Sequence, residues 1–292
     1  MKRVLTYSIA SPEADITIAS YLRMKGYSRH ILTRLKNKPD GICLNQEMAY
    51  ANVRLKNGDH LTITLQEDCS SMNILPVPLA ISIVYEDADL LIIDKAADMP
   101  IHPSINNFDN TLANGIAWYF YEQGIPFVYR CINRLDRDTT GLLIVAKHML
   151  SGALLSEMLT HRKIRRTYLA IASGCVPFEG TIDAPIARKD NSAIERCVDF
   201  KKGEQAVTHF KRIAYKNGHS LVALTLETGR THQIRVHMKH LGFPLVGDYL
   251  YHPDMQKMQR QALHSHCLEF NHPITNAAMK FTSPLPADMD WL

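Results

Sequence analysis

The sequence predicts an α+β fold, with a mixed, mostly antiparallel central sheet flanked by helices and loops and a small α+β module ahead of it. Three observations carry this. Short apolar β-like runs recur between Ile83 and Glu227 without the regular strand-helix-strand alternation of a doubly wound parallel sheet. Helical patterns are few and widely separated. Upstream, residues 16–39 contain Arg23, Lys25, Arg29, Arg34, Lys36 and Lys38 but no Asp or Glu, which sets that stretch apart by charge. A chain of 292 residues with 46% apolar composition has room for one large domain and one small one.

In the first segment, Ile16, Ala19 and Leu22 recur at helical spacing, and Ser28 stands where it can cap a second helix. Ile31, Leu32 and Leu35 give that helix an apolar face, and Pro39-Asp40-Gly41 stops it. Residues 42–45 and 61–65 read as short strands, the second after the turn Asn57-Gly58-Asp59. Within residues 16–39, Arg29, Arg34 and Lys36 have no acidic partner one helical turn away. They therefore suit contacts to phosphate, although a solvated helix face has the same composition. Residues 14–66 resemble the small alpha-L RNA-binding module of ribosomal proteins, on the cues Ser28-Arg29, the strand ending in Asn45, and Lys56-Asn57-Gly58-Asp59. The resemblance implies an RNA-binding module over residues 1–66. Residues 67–82, with Ser70-Ser71, Pro76 and Pro78, read as a linker, and residues 83–292 as a second domain.

In that second domain, strands fit residues 83–85, 90–93, 141–146, 168–172, 206–213 and 220–227, and helices fit 112–122, 151–159 and 234–240. The run Asn133-Arg134-Leu135-Asp136-Arg137-Asp138-Thr139-Thr140-Gly141 precedes the apolar strand Leu142-Leu143-Ile144-Val145-Ala146. A buried strand holds the loop before it still, so Asp136 sits where a carboxylate can be presented rigidly, with Arg134 and Arg137 favouring its ionised form. An ionised carboxylate serves as nucleophile or general base; local sequence equally allows a turn cap. A second dense segment, Thr228-Gly229-Arg230-Thr231-His232-Gln233-Ile234-Arg235-Val236-His237, joins a strand to a helix. Thr231 is placed to cap, and the amides of the helix start with Arg230 and His232 would hold a phosphate. Arg235, inside the helix, is placed to reach a carboxylate as a bidentate pair. In the third segment, Tyr168 follows the basic run His161, Arg162, Lys163, Arg165 and Arg166, which suits base stacking as well as it suits a half-buried strand.

In this order the segments resemble an RluA-type pseudouridine synthase, from Ile83 to Pro286. The matching elements are Tyr85-Glu86-Asp87 with Lys95, His102-Pro103, the Arg134-Leu135-Asp136 signature, Tyr168-Leu169-Ala170, the run 228–237, Gly247-Asp248 and Leu263-His264-Ser265. The resemblance implies that Asp136 is the catalytic aspartate, that Tyr168 packs on the target base, and that Arg235 pairs with the catalytic carboxylate. It implies that Arg134 supports the flipped nucleotide or fills its place, and that Arg230, His232 and Gln233 lie near the substrate backbone. Asn133 stands where histidine is usual, Thr140 where serine is usual, and Ala96-Ala97-Asp98 where Pro-Ala-Gly is common.

The reaction so implied detaches uracil from its ribose, rotates it and rejoins it through carbon, after the base has left its stack at an expense of a few kcal/mol. It calls for no cofactor. Although the chain has 14 histidines, none falls in a metal-ligand spacing, so no metal site is expected. The six cysteines form no Cys-x-x-Cys pair and read as reduced thiols. No stretch approaches the roughly 20 apolar residues of a membrane span. The expected partner is RNA, in first place large-subunit ribosomal RNA, met by a monomer in the cytoplasm. A transfer-RNA target, or a non-catalytic RNA-binding or assembly factor on the same fold, is the alternative.

Overall fold

The computed structural model describes residues 1–252 and 255–290. The elements of the first part are β1 (Lys2–Ser8), α1 (Ile18–Met24), α2 (Arg29–Lys36), β2 (Ile42–Leu44), β3 (Glu47–Met48) and β4 (His60–Gln66), the strands lying in the order β1-β4-β2-β3. The Ser28 hydroxyl accepts the Ile31 N–H at 3.3 Å and so caps α2, and Thr17 does the same for α1. Ile31, Leu32 and Leu35 are buried, as the periodicity predicts. Strand β1 was not expected. Its residues are mostly polar, and it is a strand because β4 pairs with it along its whole length, from Lys2 opposite Gln66 to Ser8 opposite His60.

The second part contains β5 (Ser82–Glu86), β6 (Leu90–Lys95), α3 (Leu112–Glu122), β7 (Thr140–Ala146), α4 (Met149–Thr160), β8 (Arg165–Ser173), β9 (Glu179–Asp183), β10 (Ile186–Arg188), β11 (Arg196–Val198), β12 (Val207–Lys216), β13 (His219–Leu226), α5 (Gln233–His240), β14 (Leu263–Asn271) and β15 (Ala278–Thr282). A large sheet runs β5-β6-β7-β14-β8-β13-β12-β9, with β15 on β14. Neighbours are antiparallel except β7 and β14, which are parallel through His264 opposite Thr140 and Ser265 opposite Gly141. The α+β expectation holds. Strands β9, β10, β11, β14 and β15 were not expected; β14 carries His264 and Ser265 in its interior, which hides its period.

Both faces of the sheet centre are covered. Leu91 and Ile93 of β6 with Leu143 and Val145 of β7 pack with Leu112, Ile116 and Phe120 of α3 on one face. Leu90, Ile92, Leu142 and Ile144 pack with Leu155 of α4 on the other. Burial on both sides is why these strands read as unbroken apolar runs rather than alternating ones.

The two parts are joined by more than the chain. Leu150 of α4 is buried in the core of the first part, with Tyr27, Ile31 and Leu35. Arg3 donates to Asp89 from Nε at 2.7 Å and from Nη2 at 3.0 Å. The buried Glu67 accepts Arg130 Nη1 at 3.0 Å. Residues 67–81 have no regular secondary structure, yet the Ser70 and Ser71 hydroxyls accept the N–H groups of Phe127 and Tyr129 at 3.1 and 3.0 Å. The segment is thus laid onto the second part along its course.

Candidate active site

The loop bearing Asp136 is built from the edge of β7. Beyond Gly141, where β14 diverges, residues 130–133 run along that edge: Ala146 N–H donates to the Arg130 carbonyl and Ile132 N–H to the Ile144 carbonyl. Asn133, buried, completes the row by accepting the Ile144 N–H on Oδ1 at 2.9 Å. The residue that departs from the family pattern is thereby a backbone mimic. Asn133→Ala is expected to lower stability by about 1–3 kcal/mol, because the Ile144 N–H would be buried without a partner; urea unfolding measures it, and a change below a few tenths would contradict the assignment.

The loop carbonyls are then taken in turn. Asp136 O accepts the Thr139 N–H at 3.1 Å. Arg137 O accepts Lys95 Nζ at 2.7 Å and the Met99 N–H at 3.2 Å. Asp138 O accepts Arg260 Nη1 at 3.2 Å. Burial pushes the Lys95 ammonium down to about 8, against the opposing fields of Asp138 and Asp136. Gly141 has φ +104°, and a Cβ there would lie 2.3 Å from the Ser265 carbonyl oxygen, so only glycine lets β7 and β14 close. Asp98, where the family commonly has glycine, has φ +56° and pairs with Arg137, 2.6 Å from Nε. Arg137 therefore does not face Asp136, contrary to the expectation that both flanking arginines would serve it.

Arg235 rises from α5 and is 2% exposed. Its Nη1 donates to Asp136 Oδ2 at 3.1 Å, while Nε and Nη2 make a bidentate pair with Asp248 at 2.7 and 2.8 Å. Asp248, fully buried, also accepts the N–H groups of Leu250 and Tyr251 on Oδ1, each at 3.2 Å. The guanidinium lies over the ring of Tyr251, 5.1 Å from its centroid. Burial works against its charge, but the bonds and field of Asp248, and then of Asp136, hold it above its ordinary value. The expected pair with Asp136 is present. The larger anchor, Asp248, was seen in the sequence only as part of a motif, and no local signal distinguishes it from any aspartate in a turn.

Asp136 and Arg235 open into a cavity of about 500 Å³ that Arg134, Tyr168, Arg230, His232 and Gln233 also line. Tyr168, on β8 opposite Ser265, is 4% exposed. Burial raises its phenol above the ordinary value, with Arg166 opposing, so the ring is a neutral phenol offering a face and a hydroxyl. Arg134 is exposed at the cavity and forms no ion pair among the described residues. Arg230 is tied to Glu204 and donates from Nε to the Gln205 carbonyl at 3.1 Å.

One expectation about this segment is corrected. Thr231 does not cap α5; the cap position is His232, in the left-handed conformation at φ +58° with no side-chain cap. The Gln233 N–H is taken by the Arg230 carbonyl at 3.1 Å, so one amide of the helix start is already engaged. Gln233, expected near the substrate backbone, is buried and saturated: Oε1 accepts from the Thr228 hydroxyl and the Arg230 N–H, and Nε2 donates to the Val207 carbonyl and the Thr208 hydroxyl. It holds the strap 228–230 in place. His232 Nδ1 and Tyr251 Oη share a hydrogen bond at 2.9 Å, and burial lowers the His232 pKa, leaving it neutral near pH 7.

Arg29, Arg34 and Lys36 lie on the exposed side of α2, outside this cavity, and none forms an ion pair among the described residues. Asp87, Asp89 and His272 are the group among the described residues closest to a metal-ligand cluster. There His272 Nδ1 accepts the N–H groups of Ile274 and Thr275, which leaves the ring hydrogen on Nε2, 3.0 Å from Asp87, and Asp89 is held by Arg3 and His148. Through Arg3, Asp89 ties this group to the first part. No helix among the described residues is long and apolar enough to cross a membrane, and all six cysteines are free thiols.

Residues 89–240 match the family model described as RNA pseudouridylate synthase. The chain is 40% identical over 278 residues to a Bacillus subtilis (strain 168) protein named "Uncharacterized RNA pseudouridine synthase YjbO", covering 95% of this chain and 98% of that one. It is 40% identical over 230 residues to "Ribosomal large subunit pseudouridine synthase D" of Escherichia coli (strain K12), covering 73% and 70%. Among solved structures it resembles "Human RNA Pseudouridylate Synthase Domain Containing 1", with a TM-score of 0.59 and 27% identity over 70% of this chain and 83% of that one. The chain belongs to the RNA pseudouridylate synthase family.

Proposed function

We propose that this enzyme isomerises uridine to pseudouridine in large-subunit ribosomal RNA, with Asp136 as the reacting carboxylate, Tyr168 against the detached base and Arg235 orienting Asp136. The observation that carries it is the buried chain Asp248–Arg235–Asp136, which presents one carboxylate oxygen to a cavity large enough for a nucleotide. Asp248 neutralises Arg235 and keeps it rigid; Arg235 in turn orients Asp136 without filling the space in front of it. Asp136 engages the sugar or base as nucleophile or base, while the Tyr168 ring limits the excursion of the detached uracil. Arg134, exposed and unpaired at the cavity, supports the nucleotide that has left the stack. The ribosomal target is supported by the likeness to the large-subunit enzyme of Escherichia coli, and work on that RNA would place the protein in the cytoplasm. Mapping pseudouridine in total RNA from cells with and without the gene tests it: loss of a large-subunit site is the expected result, and loss confined to transfer RNA would overturn the target.

Residues 1–66 serve in this reading as an alpha-L RNA-binding module. Support comes from a groove of about 400 Å³ that His30, Ile31 and Arg34 of α2 share with Met149, Gly152 and Ser156 of α4. Ile132 lines both this groove and the cavity at Asp136, so the two are neighbours. Replacing Arg29, Arg34 and Lys36 together by glutamine is expected to weaken RNA binding and flatten its salt dependence by about 2 in the log-log slope, since each phosphate that is no longer neutralised takes about 0.7–0.9 from it. An unchanged slope would remove this module from the interface. Substitution is preferable to deletion here, since removing residues 1–66 would expose Leu150 and strip Asp89 of Arg3.

A further inference from the structure

Arg166 lines the cavity at Asp136 and has no part in the reaction as described. It lies on β8 two residues before Tyr168, so both side chains leave the same face of the strand. It is only 7% exposed. Among the described residues it forms no ion pair, and its Nε is buried without a hydrogen-bond partner. Other deeply buried arginines are compensated: Arg235 by Asp248 and Asp136, and Arg260 by Asp288. Neither acid lining the cavity pairs with Arg166: Asp136 is held by Arg235, and Glu227 by Arg162 and His209.

A guanidinium keeps its charge at any physiological pH, and burying it unpaired is unfavourable. Such a group is tolerated where an anion completes the site. Beside it is Gly229, exposed, where even a Cβ would stand 3.4 Å from Nη1. The anions of an RNA substrate are phosphodiesters, and each uridine is flanked by them.

We propose that Arg166 is a phosphate subsite, binding the phosphodiester next to the target uridine and thereby fixing the reach from Asp136 to the ribose. Gly229 leaves the space through which that phosphate approaches. The inference rests on the pseudouridine synthase reading for its substrate, but the charge imbalance stands without it.

The test compares wild type, Arg166→Met and Arg166→Lys. Arg166→Met is expected to raise KM for large-subunit RNA from cells lacking the gene at least tenfold, with kcat within threefold. It should lower the salt slope of RNA binding by about 0.7; Arg166→Lys, which keeps a point charge, should recover most of both. Because the substitution removes an unpaired buried charge, Arg166→Met should melt at or above the wild-type temperature, and inorganic phosphate should raise the wild-type melting temperature more than that of Arg166→Met. A lower melting temperature with an unchanged salt slope and equal response to phosphate would show Arg166 to be a support for Tyr168 and overturn the proposal. Should wild type form no pseudouridine while the slope and phosphate differences persist, the subsite is upheld and the reaction assigned above is what falls.

Discussion

Asp136→Asn is expected to abolish pseudouridine formation, lowering the rate by at least about 10³-fold, while RNA binding stays within a few fold. The amide keeps the volume of the side chain and an acceptor for Arg235 Nη1, which lies 3.1 Å from the carboxylate. It cannot attack carbon or take a proton. Arg235 retains its bidentate pair with Asp248, so the fold has no reason to weaken, and stability should change by less than about 1 kcal/mol. Single-turnover assays on purified RNA, beside binding at two salt concentrations, separate the two effects. Substantial turnover by the variant would end the assignment of Asp136; loss of binding in parallel with turnover would mean that its charge serves docking instead.

Asp248→Ala should have the largest effect on the fold itself. Removing this carboxylate strands a guanidinium that is 2% exposed, with only the partly exposed Asp136 left to face it, and also frees the N–H of Leu250, while the Tyr251 N–H keeps the Asp248 carbonyl. Breaking a buried pair from one side costs about 3–5 kcal/mol, and urea unfolding reads it directly. Turnover of the surviving folded fraction should fall as well, since Arg235 would be drawn toward Asp136 and Asp136 would lose its fixed orientation. The double variant Arg235→Met with Asp248→Leu gives the control: with both charges gone, it should lose much less stability than the sum of the single changes. Additive losses would show that the pair is not the unit drawn here. This double variant should still be inactive, which distinguishes support of the fold from support of the carboxylate.

What the sequence determined by itself was what short-range physics decides. Helix α2 and its Ser28 cap, helix α3, and the apolar runs of β6 and β7 were legible because caps and periodicity act within a few residues. The order of motifs made Asp136, Tyr168 and Arg235 candidates by resemblance to a family, which is not a matter of short-range physics. Tertiary structure decided what these residues touch. Arg137, adjacent to Asp136 in the chain, turns to Asp98, whereas Arg235, 99 residues away, reaches Asp136. Thr231 looked like the cap of α5 and Gln233, by resemblance, like a neighbour of the substrate backbone, but His232 takes the cap position and Gln233 is an internal clamp on the strap 228–230. Strand β1 is a strand because β4 lies beside it, and Arg166 is exceptional only because no carboxylate ends up within its reach. Charge compensation and edge pairing are properties of the closed sheet, and a chain read in order carries the groups but not the distances between them.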